Sequence, residues 1–173
     1  MDIHFLPLTE FHRVYFYRLI TLAILVAMGV MILFKLDETK LSDLALLAAL
    51  LLPMVWRFTV EWFRVKRAQP AFIHGDELVV STATRHRRIP LTSIRSITSK
   101  HSIFMVRRYR SWSEHVAFLQ FALNTGEHVH TLVESAAFEF PAGKDTLRAV
   151  QAAVLAAKTK SIAARQQDNL RTA

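Results

Sequence analysis

The sequence predicts a membrane-embedded α-helical hairpin of two transmembrane helices, followed by a small α+β domain: a curled antiparallel sheet or small barrel with a C-terminal helix. Three observations carry that expectation. Leu19–Phe34, LITLAILVAMGVMILF, has no charge and only Thr21 as a polar side chain. With Val14–Arg18 before it and Lys35–Leu36 after it, the run reaches the roughly 20 residues of helix that a bilayer core requires. A second apolar run begins at Leu44, and from Pro70 the periodicity changes from helical to alternating. Only a helix satisfies every backbone N–H and C=O within hydrocarbon, so the apolar runs are read as helices.

Taken in order, residues 1–13 are short and mixed, with Phe5, Leu6, Leu8 and Phe11 among polar residues, and are expected to form an interfacial lead-in. The hairpin occupies 14–67. Tyr15, Phe16 and Tyr17 supply an aromatic belt at its start, and the apolar run continues past Ala27-Met28-Gly29 with no polar cleavage region, so the first span is expected to be retained rather than removed as a signal peptide. Asp37–Asp43 is the polar link. The second span, Leu44–Phe63, contains Pro53, which predicts a kink. Arg57, Glu61 and Arg64 follow at i, i+4 and i+7 on one helical face, so Glu61 is expected to pair with either arginine as an interfacial ion pair. Lys and Arg concentrate outside the link (Arg13, Arg18, Arg57, Arg64, Lys66 and Arg67), which predicts two cytoplasmic termini.

Residues 70–160 form the second unit. Strands are expected at Ala71–His74, Glu77–Ala83, Arg87–Leu91, Ile94–Lys100, Ile103–Tyr109, His115–Leu123 and Glu127–Val133, with tight turns at Gly75-Asp76 and Asn124-Thr125-Gly126. In His115–Leu123, Val116, Phe118, Gln120 and Ala122 share one face, and Ala117, Leu119, Phe121 and Leu123 the other. Leu147, Val150, Val154 and Ala157 recur at helical spacing after Pro141, giving a helix of about 18 residues. Residues 161–173 are polar and are expected to fray.

Composition narrows the function classes. The chain has 173 residues and a net charge of +8, and from Arg64 onward Lys and Arg outnumber Asp and Glu about two to one. A basic surface tethered beside a membrane points to anionic lipid ahead of nucleic acid. There is no cysteine, which excludes disulfides, thiol catalysis and Cys-based metal sites. The basic residues fall into three clusters that form the candidate lipid- or partner-binding set: Arg64, Lys66 and Arg67; Arg85, Arg87 and Arg88; Arg107, Arg108 and Arg110. Their spread over several junctions predicts diffuse, salt-sensitive attraction without a formed pocket. His128 and His130 lie on one face of a strand and His115 on its neighbour. Three imidazoles could bind a metal or sense pH, but no His-Glu-x-x-His motif accompanies them, and exposed histidines on a sheet are the expected reading. No nucleophile–base signature, Gly-rich phosphate loop or carboxylate pair points to catalysis.

The stretch FIHGDELVVSTATRHRRIPLTSIRSITS resembles the signature of bacterial pleckstrin-homology (PH-like) membrane proteins, with Ile89, Pro90, Leu91, Ile94 and Ile97 at the motif positions. The resemblance covers roughly residues 70–158. It implies a PH-like sheet with a C-terminal helix, no catalysis and no cofactor, and a binding or assembly role at the bacterial inner membrane. Ile89, Leu91, Ile94 and Ile97 carry over as core positions. Gly75-Asp76-Glu77 departs from phosphoinositide-binding relatives, which place cations at that hairpin. The resulting expectation is a non-enzymatic, multi-pass inner-membrane protein. Its cytoplasmic domain acts as a binding or scaffold module, with the lipid bilayer, anionic lipid, and another membrane protein or a second copy of the chain as partners. The alternative is a transport accessory subunit whose hairpin oligomerises around Arg57 and Glu61.

Overall fold

The computed structural model describes residues 2–34, 40–81, 85–106, 115–136 and 138–171. Two helices, α1 (Leu8–Phe34) and α2 (Leu41–Arg67), are each long and apolar enough to cross a membrane. Their exposure separates them from the core helices of a soluble protein. Leu19, Ile24, Val26, Met31 and Leu33 on α1, and Leu46, Leu50, Leu52 and Met54 on α2, lie open at the surface. Apolar surface on that scale marks a face built for another apolar phase. α2 runs unbroken through Pro53. The helices meet side chain to side chain, and Gly29 has no atom near the place where a Cβ would stand.

Two antiparallel sheets follow. The first has the order β1 (Ile3–His4), β2 (Ala71–His74), β3 (Glu77–Ser81), β4 (His86–Pro90), and a short 3-10 turn at Leu91–Ser93 leads on. The second is β5 (Ile94–Val106), β6 (His115–Leu123), β7 (His128–Ser135). The β2–β3 turn is closed by His74 opposite Glu77, with Gly75 at φ 60° as the first turn residue. A positive φ at that position alone is the II′ arrangement that matches strand twist.

The edge strand β1 comes from residues read as an interfacial lead-in. Ile3 pairs with Ile73 and His4 with Phe72, the Leu6 N–H donates to the Leu132 carbonyl at 3.1 Å, and Phe5 and Leu6 are buried. The mixed pattern of these residues is that of a short strand followed by the start of a helix. A sheet edge satisfies its backbone while Phe5 and Leu6 enter two different cores.

Those two cores explain the layering. One lies between the sheets and beneath α3 (Lys144–Arg171), and contains Ile73, Leu78, Ile89, Leu119, Phe121, Val150 and Val154. The motif residues Ile89, Leu91 and Ile94 are buried in it, and Ile97 packs against it half-buried. The other lies between the outer face of the second sheet and the lower parts of α1 and α2, and contains Phe11, Val14, Phe58, Val65, Phe118 and Leu132. The β5–β6–β7 sheet is therefore buried on both faces, which is why β6 is apolar on both sides of its alternation. The sheet domain is built onto the ends of the two apolar helices.

Two further boundaries differ from expectation. The expected strands Ile94–Lys100 and Ile103–Tyr109 are, as far as Val106, one strand, β5, with an irregular register between His101 and Val106. Residues 107–109 lie outside the described residues. α3 has its expected buried residues Leu147, Val150, Val154 and Ala157 but continues to Arg171. Its last turns are mostly exposed, and a run of Ala, Gln, Arg and Lys without Gly or Pro sustains them by propensity. Gly143, at φ 63°, lies just before α3, where an added Cβ would stand 2.7 Å from Val133 Cγ2. Replacing Gly143 by alanine combines an unfavourable left-handed backbone with a clash in the core. It should cost about 2 kcal/mol or more, read as a lowered midpoint in denaturant unfolding of the full chain in detergent.

A candidate anion-binding groove

α2 leaves the helical layer beside the outer face of the second sheet, and the Gln69 N–H donates to the His130 carbonyl at 2.8 Å. This contact brings the last turns of α2 over β5, β6 and β7. Helical spacing places Arg64 and Arg67 three apart on the face turned to the sheet. The register places Lys100 opposite Phe118, Gln120 opposite His130 and Ala122 opposite His128, so their side chains share one face. The result is a cavity of about 280 Å³ lined by Arg64, Arg67, Lys100, Phe118, Gln120, His128 and His130. A second cavity of about 220 Å³ shares Arg67, His128 and His130 with the first and extends it towards Arg87 and Glu127.

The electrostatics of the groove are one-sided. Among the described residues no carboxylate lines the first cavity. Glu127, in the second, is held on both oxygens by Arg87, whose Nη2 lies 2.6 Å from Oε2 and whose Nη1 bonds Oε1. That pairing holds the Glu127 carboxyl below its ordinary range and raises the Arg87 guanidinium. The Arg64 guanidinium lies 5.8 Å from the Phe118 ring centre, and its Nη1 is buried without a hydrogen-bond partner among the described residues. Burial lowers the His130 pKa first, and the positive surroundings of His128, Arg67 and Lys100 lower it further. Gln120 Nε2 and His128 Nδ1 are 3.0 Å apart. Arginine guanidinia, an ammonium, an amide and two imidazoles together form a set of hydrogen-bond donors for a phosphate or carboxylate.

A pH dependence follows from His130 and from His115, whose pKa burial also lowers despite partial compensation by Glu61 and a backbone bond at Ser102. Below the ordinary imidazole value of 6.5 the unfolded chain binds protons that these two folded sites resist. Their contribution to stability is therefore full above that pH and is lost as the pH falls towards the folded values. Thermal unfolding of the anion-free chain should show a lower midpoint at acidic pH, and His130→Gln should reduce that dependence.

The basic residues of the sequence are only partly gathered here. Arg64 and Arg67 line the groove and Lys66 is exposed. Arg87 reaches its rim but is neutralised by Glu127. Arg88 faces Glu77 at 3.6 Å, and Arg85 is exposed. Arg107, Arg108 and Arg110 lie outside the described residues. Lys100, Gln120, His128 and His130 complete the groove and were not in the sequence-derived set. Their alternation placed the histidines on one face, but their encounter with the end of α2 is a tertiary event. His115, opposite Ser135, stands at the other end of the β6–β7 pair from His128, opposite Ala122. Among the described residues no group of three or more His, Cys, Asp or Glu is arranged to hold a metal ion.

The second constellation, Arg57 and Glu61, is more deeply built than an interfacial pair. The Arg57 Nε donates to Glu61 Oε1 at 2.9 Å, as expected for one of the two arginines, and Arg64 instead turns to the groove. Glu61 itself is fully buried. It also accepts from the Ile103 N–H and the Ser102 hydroxyl, each at 2.9 Å, and from the Phe104 N–H at 3.0 Å. Arg57 Nη2 donates to the His101 carbonyl at 2.9 Å. The four acceptor sites of one carboxylate are filled. Where β5 breaks register with β6 and frees two backbone N–H groups, Glu61 receives both, latching the sheet to α2. Neither known protein families, nor characterised proteins, nor solved structures offer a match to this chain.

Proposed function

We propose that this protein is a non-enzymatic binding module of the bacterial inner membrane: a PH-like domain fixed to a two-span anchor that presents a cationic groove to phosphate-bearing anionic headgroups. The single observation that carries the reading is the groove itself, in which Arg64, Arg67 and Lys100 converge with His128 and His130 and, among the described residues, no acidic side chain. Two antiparallel sheets with a C-terminal helix are compatible with the PH-like assignment. Pairing of β1 with β2 supports an even number of crossings, because it joins residues before α1 to residues after α2 on one side of the bilayer. The Lys and Arg flanking the helices on that side favour the cytoplasm. The commitment of Arg57 and Glu61 to β5 favours a binding module over a transport accessory, which would need those groups facing a pathway.

Two experiments test this reading. In intact cells Ser42→Cys should react with an impermeant thiol reagent, and Gln167→Cys should react only after lysis; the cysteine-free sequence makes both single-site labels. The reverse pattern would overturn the sidedness. Titration of the detergent-solubilised full chain with glycerol phosphate, a headgroup without acyl chains, should show saturable binding that weakens as salt rises.

A further inference from the structure

We infer that the seam between α1 and α2 holds one anionic phospholipid of the leaflet next to the sheet domain, with its phosphate at Arg18 and an acyl chain along the seam. Arg18 is the observation that demands an anion. It is only 8 % exposed, and its Nε and Nη1 are buried with no hydrogen-bond partner among the described residues. None of the ion pairs among those residues includes it. What surrounds it is aromatic: its guanidinium carbon lies 3.7 Å from the Trp62 ring centre and 4.2 Å from that of Tyr15. Ring faces stabilise a cation but accept no full hydrogen bonds from its N–H groups, and buried guanidinium donors are normally paired.

Trp62 connects Arg18 to the seam. The same indole forms one wall of an apolar cavity of about 300 Å³, which Leu22, Leu25 and Val26 of α1 line against Val55 and Phe58 of α2. Leu25 and Phe58, both buried, form its floor, whereas Leu22, Val26 and Val55 stand open at its sides. Leu22 is one helical turn from Arg18 and Val26 is two, a rise of about 12 Å. That matches the roughly 15 Å hydrocarbon depth of one leaflet. Charge at one end and an apolar channel of leaflet depth leading away from it describe an amphiphile with an anionic head. A free phosphate would leave the channel empty, and a neutral lipid would leave Arg18 without net compensation. This inference rests on the helices crossing a bilayer but not on the groove above the sheet, which shares no lining residue with the seam.

The test is native mass spectrometry of the full chain in mild detergent, with phosphatidylglycerol or phosphatidylcholine added. In a background carrying Arg67→Glu, which disables the groove, the chain should still retain one phosphatidylglycerol and prefer it at least tenfold over phosphatidylcholine. Arg18→Gln should remove the preference. Val26→Trp, which fills the seam and leaves the cation in place, should reduce retention at least tenfold and keeps the test decisive if the first variant folds poorly. Retention of that lipid when Arg67→Glu has disabled the groove separates this site from the groove, with which it shares no lining residue. Equal retention of the two lipids, or retention unaltered by Val26→Trp, would overturn the inference.

Discussion

Glu61→Gln should destabilise the protein by about 2–4 kcal/mol, one of the largest effects expected of any single substitution in this chain. An exposed i, i+4 pair is worth a few tenths of a kcal/mol, and the sequence alone supports no larger figure. Burial changes the estimate. Glu61 is inaccessible, and its two oxygens accept from Arg57, Ser102 and the N–H groups of Ile103 and Phe104. An amide keeps one of those oxygens and turns an NH₂ group towards donors on the other side. Each buried donor left without an acceptor costs about 1–3 kcal/mol. Removing one partner of a fully buried ion pair costs about 3–5 kcal/mol. The Arg57 side chain is about a third exposed, so water compensates part of that. The loss should fall on one place, the attachment of β5 to α2. Limited proteolysis and unfolding in detergent should show the sheet domain opening at residues 101–106 in Glu61→Gln. A midpoint close to wild type would mean that the latch carries little of the attachment.

Arg67→Glu should lower the affinity for glycerol phosphate at least tenfold, about 1.4 kcal/mol or more. Arg67 lines both connected cavities and is one of the three permanent cations, with Arg64 and Lys100, of the first. A charge-assisted hydrogen bond contributes about 1.5–3 kcal/mol, and reversal also introduces the first carboxylate into the inner cavity. Lys100→Gln should have a smaller effect in the same direction, and both variants should flatten the salt dependence. Arg88→Gln, outside the groove and facing Glu77, should bind as wild type does. A loss common to all three would return the account to diffuse attraction across a basic surface.

How much of this was readable from the residues depends on whether the information is local. The helical runs, the Gly75 turn, β6 from His115 to Leu123 and the buried face of α3 follow from periodicity and turn chemistry within a short window. Ile3–His4 could not be assigned to the sheet, because its partner lies beyond both helices. One hint was present: both faces of β6 are apolar, which fits a strand covered on two sides. Glu61 was legible as the partner of Arg57 or Arg64, since both spacings are fixed by the helix, and the structure selects Arg57. Its capping of Ile103 and Phe104 was not, because those N–H groups are freed only where β5 breaks register. The groove divides in the same way. Arg64 and Arg67 stand out as charge in sequence, whereas Lys100, Gln120, His128 and His130 join them only through the path the chain takes after α2. Arg87 shows the converse: prominent in a run of cations, it is spent on Glu127.

The most direct measurement of the central claim is the side-chain titration of His130 by NMR in the full chain, with and without glycerol phosphate. Without the anion, His130 should titrate below its ordinary value, because it is buried among cations. A phosphate in the groove supplies the missing negative charge, so binding should raise the His130 pKa, and affinity should rise as the pH falls through the His130 value. Arg67→Glu should raise the His130 value in the free chain and abolish its response to phosphate. A His130 titration that glycerol phosphate leaves unmoved at saturating concentration would contradict the assignment of this groove as the binding site.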